Sequence, residues 1–192
     1  MRIKKMLLLA SMALAAMAVA IPAAASAEPA LWTHEHKVLT SGTPSSPYEG
    51  FAKFEIPGVF SFGCEITVRL QAEPGTTGTV TEFKVTTTTC KGTGAAAACE
   101  LGGDHPENLP WTVHTTTHDL EITDVTILNT YKAGCGLGAQ TTLHFPKITA
   151  EIDNATTIHS VTLSGVATNT AVASGTLTIE SPDVATIGIQ TK

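Results

Sequence analysis

The chain has 192 residues, a formal net charge of −6 and four cysteines. That length suits one domain with a core of its own, and the excess of acids argues against nucleic acid or an anionic membrane surface as partner. With aromatic residues at only 5%, the girdle pattern of an outer-membrane barrel is missing as well.

Residues 1–27 read as a secretory signal peptide. Arg2, Lys4 and Lys5 precede an apolar run from Met6 to Ala20, and a tract of small residues ends in Ala25, Ser26 and Ala27. This is the charged, apolar and A-x-A order of an export signal, with cleavage expected after Ala27 and 28–192 left as a single exported domain. The run is short for a membrane span, and no second stretch approaches that length, so no transmembrane segment is expected in the mature chain. No cysteine stands at the cleavage point to carry a lipid. Cleavage removes three positive charges and no acids, which makes the mature chain more acidic still. The expected location is secreted, extracellular or associated with a bacterial cell envelope.

The first local feature of the mature chain is "WTHEHKV", residues 32–38. Read as a strand, it puts Trp32, His34, His36 and Val38 on one face. Two imidazoles at i and i+2 can ligate one Zn, Cu or Ni ion, which makes His34 and His36 the candidate metal residues. A third ligand would have to come from elsewhere. The plainer reading is an N-terminal arm whose histidines meet solvent or pack beside Trp32.

The strongest strand signal is "FSFGCEITVRLQ". Phe60, Phe62, Cys64, Ile66, Val68 and Leu70 share one parity, and polar residues or glycine take the other, as in a half-buried strand. A Pro-Gly turn follows, and then "TVTEFKVTTTT" places Phe83, Val85, Thr87 and Thr89 on one face. A hairpin about that turn brings Cys64 near residues 87–90. In an oxidising compartment four cysteines imply two disulfides, with three connectivities open. The hairpin favours Cys64 with Cys90, leaving Cys99 with Cys135. Cys90 has the wrong parity for the inward face, so it is expected beyond the end of its strand. No spacing fits a zinc site or a C-x-x-C redox pair.

Downstream, Trp111 and Val113 alternate with Thr112 and His114, and Trp111 is expected to be buried. In "LEITDVTIL" the apolar parity changes between Ile122 and Val125, which predicts a bulge near Thr123 and Asp124. Pro146 interrupts "TTLHFPKITAEI" and favours an edge strand or a corner. "HSVTLSGV", "GTLTIES" and "ATIGIQ" complete a set of nine or ten short strands rich in Thr, Val and Ile. The fold class expected is all-β, an antiparallel β-sandwich stapled by two disulfides, with a jelly-roll-like arrangement as one option.

Other candidates for chemistry have no partner identifiable by spacing. His114 and His118 read as solvated, His144 lies opposite the Leu143 and Phe145 face, His105 falls in a loop by composition, and His159 shares parity with Val161 and Leu163 and reads as partly buried. Enzyme motifs such as G-x-S-x-G and H-E-x-x-H are absent, and no catalytic residue is assigned. Asn154, Ala155 and Thr156 match a glycosylation sequon, read as coincidence in a bacterial chain.

At "CELGGDHPENLPWTV" and "AGCGLGAQTTLHF" the chain resembles a loose group of exported bacterial β-proteins. Their marks are a cysteine before a short loop, a Leu-Pro-Trp strand opening and a later Cys-Gly step ahead of a Thr-rich strand. Here the marks fall at Cys99, at Leu109, Pro110 and Trp111, and at Cys135 and Gly136. Some members are labelled activators of alkane oxidation. The chain departs from the pattern in having no cysteine after position 135. The resemblance implies an exported β-domain and assigns no functional residue.

These readings favour a non-enzymatic exported protein that needs no cofactor and that binds an extracellular or cell-surface ligand or serves the envelope. A metal-dependent protein centred on His34 and His36 is the first alternative, and a hydrolase with a dispersed site the second.

Overall fold

The structure, a computed structural model, describes residues 29–56, 58–135, 138–168, 172–179 and 187–191. The expected signal peptide and Gly136 lie outside the described residues. All regular structure among them is β: β1 Ala30–His34, β2 Lys37–Val38, β3 Ser45–Ile56, β4 Phe60–Ala72, β5 Thr77–Gly94, β6 Leu101–Glu107, β7 Trp111–Thr115, β8 Asp119–Tyr131, β9 Gln140–Ile152, β10 Ser160–Val166, β11 Val172–Ile179 and β12 Ile187–Thr191. No helix of the described residues is long and apolar enough to cross a membrane.

Eight strands close into an antiparallel barrel in the order β3, β4, β5, β7, β8, β9, β10, β11, with β11 returning to pair with β3. This corrects the sandwich expectation. The alternation that buries one face of each strand is the same in both architectures; what differs is whether the outer strands leave edges. Here the closing strand is β3, "SSPYEGFAKFEI", which the sequence reading did not count as a strand. All twelve of its residues pair with β4 on one side, and Tyr48–Glu55 pair with β11 on the other. Closure removes the edges that a sandwich would have to protect.

Eight strands leave an interior that side chains just fill. The alternation in β4 holds throughout: Phe60, Phe62, Cys64, Ile66 and Leu70 are buried inside, while Glu65 is exposed outside. Phe54 meets Phe145, Phe62 meets Tyr131, and Phe83 meets Trp111 with ring centroids 5.5–6.1 Å apart. Trp111 is 4% exposed, as its parity predicts. Its indole Nε1 donates to the Glu107 carbonyl at 2.8 Å. What remains inside is an apolar void of about 40 Å³ beside Phe83, Trp111, Ile122 and Leu163. Outward positions carry Thr, Glu, Lys and Arg. Apolar inside and polar outside is the reverse of a lipid-facing barrel.

Besides a one-residue bulge at Thr81 of β5, opposite Arg69 and Leu70, two irregularities decide where side chains point. In β4 and β5, Gly63 pairs with Lys91 and Glu65 with Thr86, so Cys64 alone faces Thr87, Thr88, Thr89 and Cys90. This wide bulge resets parity within β5, which runs on to Gly94. Cys90 therefore lies inside the strand, as the last residue of the bulge, and not beyond the strand's end as expected. The second irregularity is shared by β8 and β9. Thr123 pairs with Lys147 and Val125 with Phe145, with Asp124 opposite Pro146 between them. Each strand changes its buried parity there, so register is kept while both turn a corner. Pro146 accordingly marks a corner, and it lies just past Ile148, the last β9 residue that pairs with β10, so its second side is free of the ladder, as an edge position would be.

The barrel wall is not uniformly laddered. β5 pairs with β7 through Thr77 to Val80 only. Beyond Val80 its second edge faces β6, which pairs with β8 and continues the place of β7. β6 spans "LGGDHPE", so His105 sits on a strand and not in a loop.

A small sheet, β12-β1-β2, covers one end of the barrel. Trp32 is fully buried there, and its backbone N–H donates to Gly75 in the β4–β5 turn. A β-carbon on Gly78, at the start of β5, would come within 3.1 Å of the Trp32 ring, so the strand needs glycine there to seat the indole. Ile158 N–H donates to Ile187 O, and the Tyr48 hydroxyl donates to Ile158 O at 3.1 Å.

Candidate functional site

The structure joins Cys64 to Cys90 and Cys99 to Cys135, the pairing that the hairpin argument favours. No free cysteine is left among the described residues. The first bridge ties β4 to the β5 bulge; the second ties the β5–β6 connection to the segment after β8.

The strand expected over 32–38 is broken. β1 ends at His34, and Glu35 and His36 form the turn into β2 with φ of 50° and 64°. His34 and His36 therefore do not lie on one strand face: His34 is half-buried at the strand end and His36 is exposed in the turn. The buried Nε2 of His34 and Nε1 of Trp32 have no hydrogen-bond partner among the described residues. No group of three or more metal-type side chains occurs among those residues.

The remaining histidines lie apart on the outside. His105, His114 and His118 are exposed. His144 shares a hydrogen bond with Thr126 at 3.0 Å. His159, read as partly buried, is exposed instead, with its ring 3.9 Å from Asp153 at the start of β10. Ile158, the residue before it, takes the buried position, so the parity of β10 does not extend back to His159.

The described surface does carry one constructed feature that the sequence reading missed, on the outer wall where β11, β3, β4 and β5 run side by side. Phe51 stands on the outward face of β3, 49% exposed, among charged neighbours. It lies across Gly63 of β4: a β-carbon there would sit 2.7 Å from Phe51 Cε1, so the ring needs the glycine beneath it. Covering a strand glycine with a cross-strand aromatic ring is a known device for restoring lost packing. The consequence is a ring held down on one face and open to solvent on the other.

Beside the ring runs a groove of about 380 Å³, lined by Glu49, Gly50, Phe51, Glu65, Thr67, Thr86 and Thr178 among others. Thr67 donates to the Glu49 carboxylate at 3.2 Å, and Thr178 donates to the Glu49 carbonyl at 3.4 Å. Glu65 N–H donates to Thr89 Oγ1 at 3.0 Å, and that hydroxyl donates to Thr86 O at 2.7 Å. The bulge, through Thr89 and the Cys64–Cys90 bridge, thus fixes the backbone on the β4 and β5 side of the groove.

Charge around the groove is one-sided. Glu49 and Glu65 are exposed carboxylates, and no cation is among the residues lining it. The cations two residues away are engaged: Lys53 with Glu55, and Arg69 and Lys84 with Glu82. Hydrogen bonds from Lys84 and then Arg69 hold the Glu82 carboxyl below its ordinary range. The signal for the site was "YEGFAKFEI", where Tyr48, Ala52 and Phe54 share the inward parity and Phe51 breaks the polar run on the other face.

The fold and this surface define a closed, eight-stranded, disulfide-bridged barrel with a filled interior and a polar outer wall. No protein-family model, no curated protein and no solved structure matches the chain.

Proposed function

We propose that the protein is an exported, non-enzymatic binding protein that works from the outer wall of its barrel, at the groove beside Phe51. One observation carries the reading. The interior is filled by apolar side chains around a void of only about 40 Å³, whereas the outer wall holds an aromatic ring backed by glycine. A barrel that carries a ligand inside needs a cavity of several hundred Å³, so recognition falls to the surface. Two disulfides fit an oxidising compartment, and the signal-like N-terminus supplies the route to it.

The test is to produce the full chain in a bacterial host and fractionate the cells. The expected product is a chain beginning at Glu28, with both disulfides formed, in the medium or envelope fraction and sedimenting with isolated envelopes. A full-length chain in the cytoplasm with free thiols would overturn it. Turnover of chromogenic glycosides or esters that Glu65→Gln abolishes would make the site a hydrolase instead.

The unpartnered Nε2 of His34 favours a second reading, a metal site that recruits His34. Unchanged melting temperature with added Zn or Cu, and no metal in the purified protein, would remove it.

A further inference from the structure

We infer that the groove beside Phe51 binds a neutral polysaccharide, one sugar ring stacking on the open face of Phe51 while its hydroxyls donate to Glu49 and Glu65. This rests on the reading of the outer wall as a binding surface and names its ligand class.

The chemistry follows from the parts. An aromatic face is electron-rich, and the axial C–H bonds of a pyranose form a flat, weakly positive patch that matches it. Only a ring fixed flat offers such a face. Phe51 lies flat against the backbone at Gly63, where any side chain would lift the ring, so one face is covered and the other is open. A sugar also needs acceptors at its rim, since its hydroxyls lose water on binding. Carboxylates are strong acceptors for hydroxyl donors, and Glu49 and Glu65 flank the ring: Glu65 is the register partner of Phe51, and Glu49 lies two residues before it on the same face. Thr67, Thr86 and Thr178 add short hydroxyls that can both donate and accept.

The same carboxylates decide against other ligands. With no cation lining the groove, an anionic polymer such as alginate or a teichoic acid would meet uncompensated like charge. The groove is shallow and lies along an open wall, which suits one or two residues of a long chain better than an enclosed small molecule. Such a site binds weakly at one ring and gains from repeated units on the polymer.

The experiment is affinity electrophoresis of the disulfide-intact mature protein through native gels cast with hydroxyethyl cellulose, galactomannan, laminarin or amylopectin, and with alginate as the anionic control. Phe51→Ala uncovers Gly63, so Phe51→Leu is the informative variant, because it keeps an apolar cover without a ring. Retardation is expected in at least one neutral polymer, weakened roughly fivefold by Phe51→Leu and by Glu65→Gln, and retained by Phe51→Tyr. Near-unfolding of a variant is detected by its urea midpoint and disqualifies that variant alone. No retardation in any neutral polymer, retardation in alginate only, or retardation unchanged in both Phe51→Leu and Glu65→Gln would overturn the inference. A protein that is exported and sediments with envelopes, yet ignores all four neutral polymers, would defeat the sugar assignment and leave the outer-wall reading standing.

Discussion

Asp124 of β8 and Pro146 of β9 stand opposite each other where both strands change the face they bury. On one side of them Thr123 pairs with Lys147, on the other Val125 pairs with Phe145, and the register is the same on both sides. Proline has no N–H to give to a ladder, so it is tolerated at this point because the corner interrupts the pairing anyway. Asp124 takes the left-handed region at φ 57°, which aspartate enters more readily than most residues. Asp124→Gly should therefore leave stability within about 0.5 kcal/mol or raise it. Asp124→Val, β-branched at positive φ, should cost about 1–2 kcal/mol. Urea unfolding of the two variants checks this, and equal stabilities would mean the corner does not depend on Asp124.

Trp111 gives a direct measure of how closely the interior is filled. It is almost wholly buried, meets Phe83 at 5.5 Å, and donates to Glu107 O. Trp111→Ala removes the largest side chain beside an existing void and should cost roughly 3–5 kcal/mol. Trp111→Phe keeps much of the volume and should cost less than half as much. A near-neutral Trp111→Ala, read from chemical denaturation, would show that the register of β7 is wrong.

Much of this barrel was legible in the alternation of single strands, and little of it in the way they join. The inward run from Phe60 to Leu70, the burial of Trp111 and the parity change near Asp124 are local patterns with one reading. The closure of β11 onto β3 is a pairing between residues more than a hundred positions apart, and no local pattern encodes it. β3 was also masked by two of its own residues: Phe51 puts an aromatic ring on the polar parity, and Gly50 leaves the apolar parity without a side chain. The pair His34 and His36 failed for a related reason. Alternation across 32–38 is equally compatible with a strand and with two half-strands about a two-residue turn. The positive φ of Glu35 and His36 selects the second. The groove needed the fold first, since Phe51 gains its meaning from Gly63, twelve residues on and across a strand pair.

Tyr48 should make the barrel sensitive to alkali. Its hydroxyl is buried against the end-capping sheet and donates to Ile158 O. Burial first, and the Asp153 charge second, push its pKa well above the ordinary tyrosine value. Above a pH of about 10 the unfolded chain gives up this proton while the folded chain keeps it. Stability from Tyr48 is thus fully present below that pH and falls as pH rises, by up to about 1.4 kcal/mol per pH unit. Tyr48→Phe should be less stable at pH 7 by about 1 kcal/mol, having lost the hydrogen bond, but flatter between pH 9 and 11. Parallel pH dependences for the two proteins would show that Tyr48 ionises freely.

The two disulfides should differ in what they support. By loop length they are alike, closing 26 and 36 residues, so replacing either pair with alanine should cost about 3–4 kcal/mol in the chain-entropy account. Their positions are not alike. Cys64 precedes Glu65, and Cys90 follows Thr89, whose hydroxyl holds Glu65 N–H and Thr86 O together. Loss of this bridge frees the bulge and lets the groove spread, whereas loss of Cys99–Cys135 loosens connections away from it. In conditions where both double variants are folded, retention by a neutral polysaccharide should weaken in the Cys64→Ala, Cys90→Ala protein and persist in the Cys99→Ala, Cys135→Ala protein. Equal weakening in both would mean that the bridges act only through global stability. In that case Thr89 would not be setting the geometry of the β4 and β5 side of the groove.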